Sequence, residues 1–223
     1  MKKKEELSIK LETISEKIRH DFEKKDAARE SLLKKSREII RFSSKAIRAL
    51  HRREKSEALQ LIESAAALIR EEQGKHGKTH RELLNANYFL DSCKEYAEAA
   101  ISYGIVIEND VPDPDALGIP YHAYLNGLAE SVGELRRYLL DSLRRNEPAR
   151  AEDFLNAMDS IYSILVTMDF PDAITYGLRR NTDNVRGIVE KTRGELTITA
   201  NNSYLLQKIS ILGDKLGTFA DKI

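Results

Sequence analysis

Two pairs of glutamates stand where chemistry can be done. Glu95 and Glu98 lie three residues apart in LLNANYFLDSCKEYAEAAISYGIVIE, Leu83–Glu108, a run rich in Ala, Ile, Val, Leu and Tyr. Glu130 and Glu134 lie four apart in GLAESVGELRRYLL. Spacings of three and four place each pair on one face of a helix. A carboxylate taken into apolar surroundings is expensive unless a cation sits with it. If the two helices pack face to face, four carboxylates converge. An all-oxygen donor set suits a hard divalent cation, Mg²⁺ or alternatively Mn²⁺, rather than zinc or iron. Ala97, Ala99 and Ala100 keep the first helix slim around its acids, and Gly127 and Gly133 are expected to do so for the second. A mid-helix Gly costs about 1 kcal/mol against Ala, and close helix approach would offset that. A di-iron bundle would want Glu-x-x-His; none of the four glutamates has a His three residues on.

Such a set has a mechanistic use. A carboxylate-held cation polarises a phosphoryl oxygen and activates water. A carboxylate not committed to the cation can accept the water's proton. Phosphodiester hydrolysis then needs no Ser, Cys or His nucleophile, and the chain shows no triad, no CxxC and no HExxH. Each Glu taken singly is an ordinary exposed helix former; it is the convergence of four that carries this expectation.

A second pattern is basic. Lys34, Arg37, Arg41, Lys45, Arg48 and Arg52 recur at steps of three, four, four, three and four, with Glu38 the acid among them. That is one stripe on one helix face. A solvated face needs no further explanation, but a stripe with few acids also fits a phosphate track, since phosphate contacts supply most non-specific nucleic-acid affinity. Lys35, Arg53, Lys75, Lys78, His80 and Arg81 extend the basic supply. The overall charge is balanced, 36 basic against 36 acidic residues, so the basic surface has to be local.

The elements that must position these groups read as helices throughout. Leu7, Leu11, Ile14, Ile18 and Phe22 mark a first helix over residues 1–24. From Asp26 to Arg53 the seam continues through Leu33, Ile40 and Ile47 with Ser36, Ser43 and Leu50 between them; Asp26 either caps a new helix or lies inside a continuous one. Glu54–Gln73 is amphipathic, with Leu59, Ile62, Ala66 and Ile69 inward, and Gly74 and Gly77 mark a turn. The central helix is expected over Thr79–Glu108, followed by the loop NDVPDPDALGIP. His122–Arg145 carries the second acid pair. Helices then follow over 149–168, with Phe154, Ala157, Ile161 and Leu165 on one face, and over 172–197. A last helix, Tyr204–Ala220, would be capped by Asn201-Asn202-Ser203 and bury Leu206, Ile209, Leu212 and Leu216. No strand alternation or fixed-period repeat is evident. The expectation is an all-α, single-domain bundle of about six to eight antiparallel helices over residues 1–223. There are more apolar seams than one bundle needs, which points to homo-oligomer contacts. No run of 18 apolar residues occurs, MKKKEELS does not read as a secretory leader, and the one cysteine, Cys93, reads as core. A cytoplasmic setting with no membrane contact is expected.

At the acid pairs the sequence resembles the translin and translin-associated factor X family. Tyr124-Leu125-Asn126-Gly127-Leu128-Ala129-Glu130-Ser131-Val132-Gly133-Glu134-Leu135 is similar to the family segment Y-L-x-G-x-A-D-L-T-G-E-L. Lys94-Glu95-Tyr96-Ala97-Glu98-Ala99 resembles its Q-E-Y-V-E-A, and Tyr176–Glu190 resembles its C-terminal helix more loosely. The similarity runs through most of the chain. All four acids are kept, as in the catalytic branch, with Glu130 where the family has Asp. The resemblance implies an all-α subunit of a hollow octamer that cleaves single-stranded RNA with Mg²⁺. Glu95, Glu98, Glu130 and Glu134 would be catalytic and metal-binding. Arg37, Arg41, Lys45, Arg48, Arg52 and His80 would face RNA, and DNA would be a second possible ligand. The alternative is a non-catalytic oligomer that binds single-stranded nucleic acid.

Overall fold

The computed structural model describes residues 2–77 and 80–220, with side chains for 5–77 and 80–213. Lys78 and Thr79 therefore lie outside the described residues. The order is α1 (Lys2–His51), α2 (Lys55–His76), a 3₁₀ turn (Arg81–Asn85), α3 (Asn87–Tyr103), a π turn (Gly104–Glu108), α4 (Pro114–Leu117), α5 (Tyr121–Arg144), α6 (Pro148–Val166), α7 (Asp172–Thr175) and α8 (Leu178–Ala220). The fold is all-α; no strand occurs among the described residues. No described helix is long and apolar enough to cross a membrane.

The chain divides into two compact units. The first holds the chain up to Tyr103 together with Pro112–Tyr124. Within it α1 and α2 form an antiparallel hairpin. Arg52 bonds Glu54 and Glu57 near the turn, and Lys75 Nζ reaches Ser31 Oγ at 3.3 Å near the other end. α3 also lies along α1, and Lys25 meets Glu82 at 2.8 Å just before α3 begins. The core is Leu32, Ile39, Ala46 and Leu50 of α1, Ala58, Ile62, Ala65 and Ile69 of α2, and Phe89, Cys93, Tyr96 and Ile101 of α3. The expected α1 seam is thus displaced by one residue. Leu32 and Ile39 are fully buried, while Leu33, Ile40 and Ile47 are half-buried; Ser36, Ser43 and Leu50 are buried as expected. The reason is that α1 is covered by two helices, so its apolar face is wider than a two-helix seam. On α2, Leu59 is exposed, whereas Ile62, Ala66 and Ile69 are buried.

Asp26 lies inside one continuous 50-residue helix. The helix outruns its cover: residues 5–24 are exposed throughout, including Leu7, Leu11 (57% exposed), Ile14, Ile18 and Phe22 (63%). Gly74 is helical, and α2 ends only at His76. The central helix starts at Asn87, later than expected, behind a 3₁₀ turn and an extended Ala86. In the loop before α5, Asp113 caps the short α4 by accepting from the Asp115 and Ala116 amides, and Gly118 closes it at φ +67°.

The second unit holds Gly104–Val111 and the chain from Leu125 on. α6 packs on α8, where Arg193 pairs with Asp159. Tyr138 of α5 stacks against Phe154 of α6 at 5.8 Å. Phe154, Ile161 and Leu165 are buried as expected, joined by Leu155 and Met158. After the Asp169-Phe170-Pro171 turn comes α7, then Tyr176 and Gly177 in left-handed conformations. α8 then runs unbroken through Asn201-Asn202-Ser203. Ser203 donates to the Thr199 carbonyl, one turn back, instead of capping. Leu206, Ile209 and Leu212 are exposed rather than buried, and the side chain of Leu216 lies outside the described set.

Candidate metal centre and basic face

Glu95 and Glu98 sit on α3, one turn apart, in a helix otherwise buried through Ser92, Cys93, Tyr96, Ala97, Ala99 and Ala100. Glu130 and Glu134 sit on α5, again one turn apart. All four are half-buried. Glu95, Glu98 and Glu130 could hold a metal ion: each offers one carboxylate oxygen, and these oxygens lie within 4.8 Å of one another. Glu134 is not part of that group. The donor set is oxygen alone, which fits Mg²⁺ or Mn²⁺ and not the softer transition metals. Three converging carboxylates repel one another, and a divalent cation is the natural counter-charge.

The neighbouring cations are engaged. Lys94 Nζ lies 3.6 Å from Glu95. Arg136, two residues past Glu134, turns to α8: its Nη2 donates to both carboxylate oxygens of Glu195 at 2.7 and 2.9 Å, and its Nη1 donates to Thr192 Oγ1 at 2.6 Å. Gly133 is exposed, and a Cβ built there would meet nothing within 4 Å. It therefore allows no close approach within the chain, contrary to expectation; Gly127 is buried. His122, two turns before Glu130, has its pKa lowered by burial, so its imidazole is neutral near pH 7.

Sequence reasoning missed one polar cluster on the same helix. Asn126, one turn before Glu130, is buried. It donates to the Thr175 carbonyl at 2.9 Å and accepts from Asn181 Nδ2 at 2.8 Å. Its signal in the sequence was an amide in a stretch of buried positions, four residues ahead of an acid.

The basic stripe is where the periodicity places it. Lys34, Arg37, Arg41, Lys45 and Arg48 are all exposed, on the side of α1 opposite Leu32 and Ile39; Arg52, also exposed, lies in the turn just past the end of the helix. Arg41 is tied to Glu38 at 3.2 Å and lies against the Phe42 ring, and Arg52 is held by Glu54 and Glu57. His80 is half-buried, 6.5 Å from the His76 ring, with Nδ1 3.9 Å from Glu82.

No family model matches the chain. Its sequence is 31% identical over 187 residues to an uncharacterised protein of Methanocaldococcus jannaschii, covering 83% of this chain and 82% of that protein. Among solved structures it is similar to C3PO of Archaeoglobus, a translin-type assembly, in a complex with duplex RNA: 32% identity, TM-score 0.74, 84% of this chain and 96% of that one. The chain belongs to the translin family. The Archaeoglobus protein in a second structure gives the same identity and TM-score, with 97% of its chain covered. C3PO of Neurospora without ligand, at 20% identity and TM-score 0.74, shares the fold over 82% of this translin-family chain and 96% of its own.

Cys93 supplies a check on the site's surroundings. Burial pushes its thiol pKa up to about 12, so at pH 8 it stays protonated and shielded. Native protein incubated with iodoacetamide at pH 8 is expected to remain unmodified by mass spectrometry, and to react fully once unfolded in denaturant. Rapid alkylation of the native protein would contradict the packing of α3.

Proposed function

We propose that this chain, as a single translin-like domain, is the subunit of a homo-oligomeric, Mg²⁺-dependent endoribonuclease acting on single-stranded RNA in the cytoplasm. The observation that carries the reading is the convergence of Glu95, Glu98 and Glu130 in a chain 32% identical to an archaeal C3PO. The retention of all four acids supports the catalytic, translin-associated factor X branch of the family. Glu95, Glu98 and Glu130 would hold the cation. When bound, Mg²⁺ (or Mn²⁺) supplies Lewis-acid polarisation of the scissile phosphate. Glu134, one turn along α5 and outside the tight group, would accept the proton of the attacking water. The water oxygen forms the new P–O bond, the P–O bond to the leaving ribose breaks, and solvent protonates the leaving oxygen. Arg37, Lys45 and Arg48, with Lys34, offer a row of cations for the backbone phosphates; Arg41, Arg52 and His80 would add to it. A non-catalytic nucleic-acid-binding oligomer is the second reading, favoured by the same exposed stripe, which needs no acids. DNA would then bind comparably.

Cleavage separates the two. Labelled single-stranded RNA should be cut with Mg²⁺ and spared with EDTA. Loss of one ligand anion removes several kcal/mol of charge stabilisation, so Glu98→Gln or Glu130→Gln should slow cleavage at least about a hundredfold, as should Glu134→Gln through loss of the base. RNA affinity should stay near wild type. Added Mg²⁺ should raise the melting temperature of the wild type and do so less in Glu98→Gln. Wild-type cleavage by Glu98→Gln would sink the carboxylate reading.

RNA binding tests the stripe. Replacing Arg37 and Arg48 by Ala should lower the slope of log affinity against log salt by about 0.7 per lost contact on a single strand. Arg52→Ala should change it less, because two glutamates already hold that side chain. An unchanged slope in the double variant would make this only a solvated face.

The apolar stripes left open on α1 and α8 support assembly. Most helical stability in proteins comes from packing an amphipathic face, so the Leu7–Phe22 stripe calls for cover from another subunit. Light scattering at micromolar protein is expected to give an oligomer, eight copies of 25.4 kDa in the octameric case, and Leu11→Lys with Ile18→Lys should reduce it. A monomeric mass for the wild type would refute assembly.

A further inference from the structure

We infer that Asn126 is a positioning residue for the α5 carboxylates, an inference that rests on reading Glu95, Glu98 and Glu130 as a cation site. Asn126, Glu130 and Glu134 succeed one another at intervals of four on α5, so they share one side of the helix. Asn126 is buried, and both ends of its amide are used: Nδ2 donates to the Thr175 carbonyl at the end of α7, and Oδ1 accepts from Asn181 in the first turn of α8. Ten residues on, Arg136 grips α8 a second time through Thr192, which is fully buried, and Glu195. Glu130 and Glu134 therefore lie between two polar clasps about 15 Å apart along the helix.

The two clasps fix different freedoms. Arg136 is long and ends on two side chains, Glu195 and Thr192, so it tolerates small rotations of α5. Asn126 is short, and its amide bonds a backbone carbonyl, which cannot follow a side chain. It therefore fixes the roll of α5 about its axis. Side-chain ends lie about 5–6 Å from a helix axis, so a roll of roughly 20° would move a carboxylate oxygen by about 2 Å. Mg²⁺ demands near-octahedral geometry at about 2.0–2.1 Å and would not survive that displacement. Arg136 bonds from the other end of the pair and cannot substitute for the lost constraint. An apolar residue of similar size at position 126 would also leave the Thr175 carbonyl without its amide donor, so the local optimum would shift as well as soften.

The test uses Mn²⁺ as the probe, followed by electron paramagnetic resonance on the full-length protein without RNA. Wild type should bind Mn²⁺ and lose it in Glu98→Gln. Asn126→Leu should weaken Mn²⁺ binding at least tenfold, and Asn181→Ala, which keeps Asn126 and its bond to Thr175, about threefold. Val189→Ala, a core truncation on α8 that removes none of the hydrogen-bonding groups of either clasp, supplies a variant with a comparable fall in melting temperature. It should leave Mn²⁺ affinity within twofold of wild type. If Asn126→Leu fails to fold, Asn181→Ala decides by itself. Affinity in the Asn variants no lower than in Val189→Ala would overturn the positioning role and leave the metal centre standing. A wild type that binds no Mn²⁺ through Glu98 would overturn the centre itself, and the positioning role with it.

Discussion

An α-helix closes its own backbone hydrogen bonds but cannot cover its own apolar side, and this constraint governs the chain. α1 has 50 residues and α2 has 22, or about 75 Å against about 33 Å at the ordinary rise. Cover for α1 therefore runs out. From Leu32 to Leu50 its face is closed by α2 and α3; before Asp26 the same side carries Leu11 and Ile18 into solvent. In the second unit α8 has 43 residues beside an α6 of 19, and its exposed Leu205, Ile209 and Leu212 repeat the situation. Local propensity keeps both helices going, since neither has a proline, and the tertiary contacts stop well before the helices do.

This explains which parts of the fold were legible in the sequence. Helix class, the Asp169-Phe170-Pro171 turn, the α6 face and the stripe of cations follow from period and punctuation, which are local. What failed depended on partners. Leu32 and Leu33 are adjacent apolar residues, and so are Ile39 and Ile40; periodicity finds a seam but cannot choose between neighbours when two helices cover one face. Leu206, Ile209 and Leu212 form an apolar set whose burial the sequence implies and the single chain does not supply. Asn201-Asn202-Ser203 looked like a cap because these side chains compete with the helix backbone. In α8 the hydroxyl of Ser203 bonds backward to the Thr199 carbonyl, and the helix passes through. The 3₁₀ turn before α3 has no Gly or Pro to announce it.

The candidate centre was legible in its residue types and incompletely in its grouping. ExxE and ExxxE fix which side chains share a helix face, and the structure groups three of the four. Where the family segment has Asp, Glu130 belongs to the group, so the added methylene has not removed this carboxylate from it. Of the cations nearest in sequence, Lys94 stands beside Glu95. Arg136 instead reaches Glu195 and Thr192, which are 59 and 56 residues away in sequence. A spacing rule has no access to such a choice, because it is made by α8 packing beside α5. The same holds for Asn126: its role depends on Thr175 and Asn181, neither of which any local pattern connects to it.

Charge sets a final condition on the proposed chemistry. A carboxylate centre repels a phosphodiester, and a chain with 36 acids and 36 bases has no net field to draw RNA in. Attraction must come from a local row of cations, because at physiological salt a charge is felt over only about 8 Å. The α1 stripe meets that condition. Its bases face water together, and Arg37, Lys45 and Arg48 have no ion pair with an acid among the described residues. Each contact is weak by itself, so useful affinity needs several phosphates engaged at once. An extended strand provides that and a mononucleotide does not. Preference for a polymer over its monomers would then arise from the spacing of the bases along one helix, without any base-reading pocket.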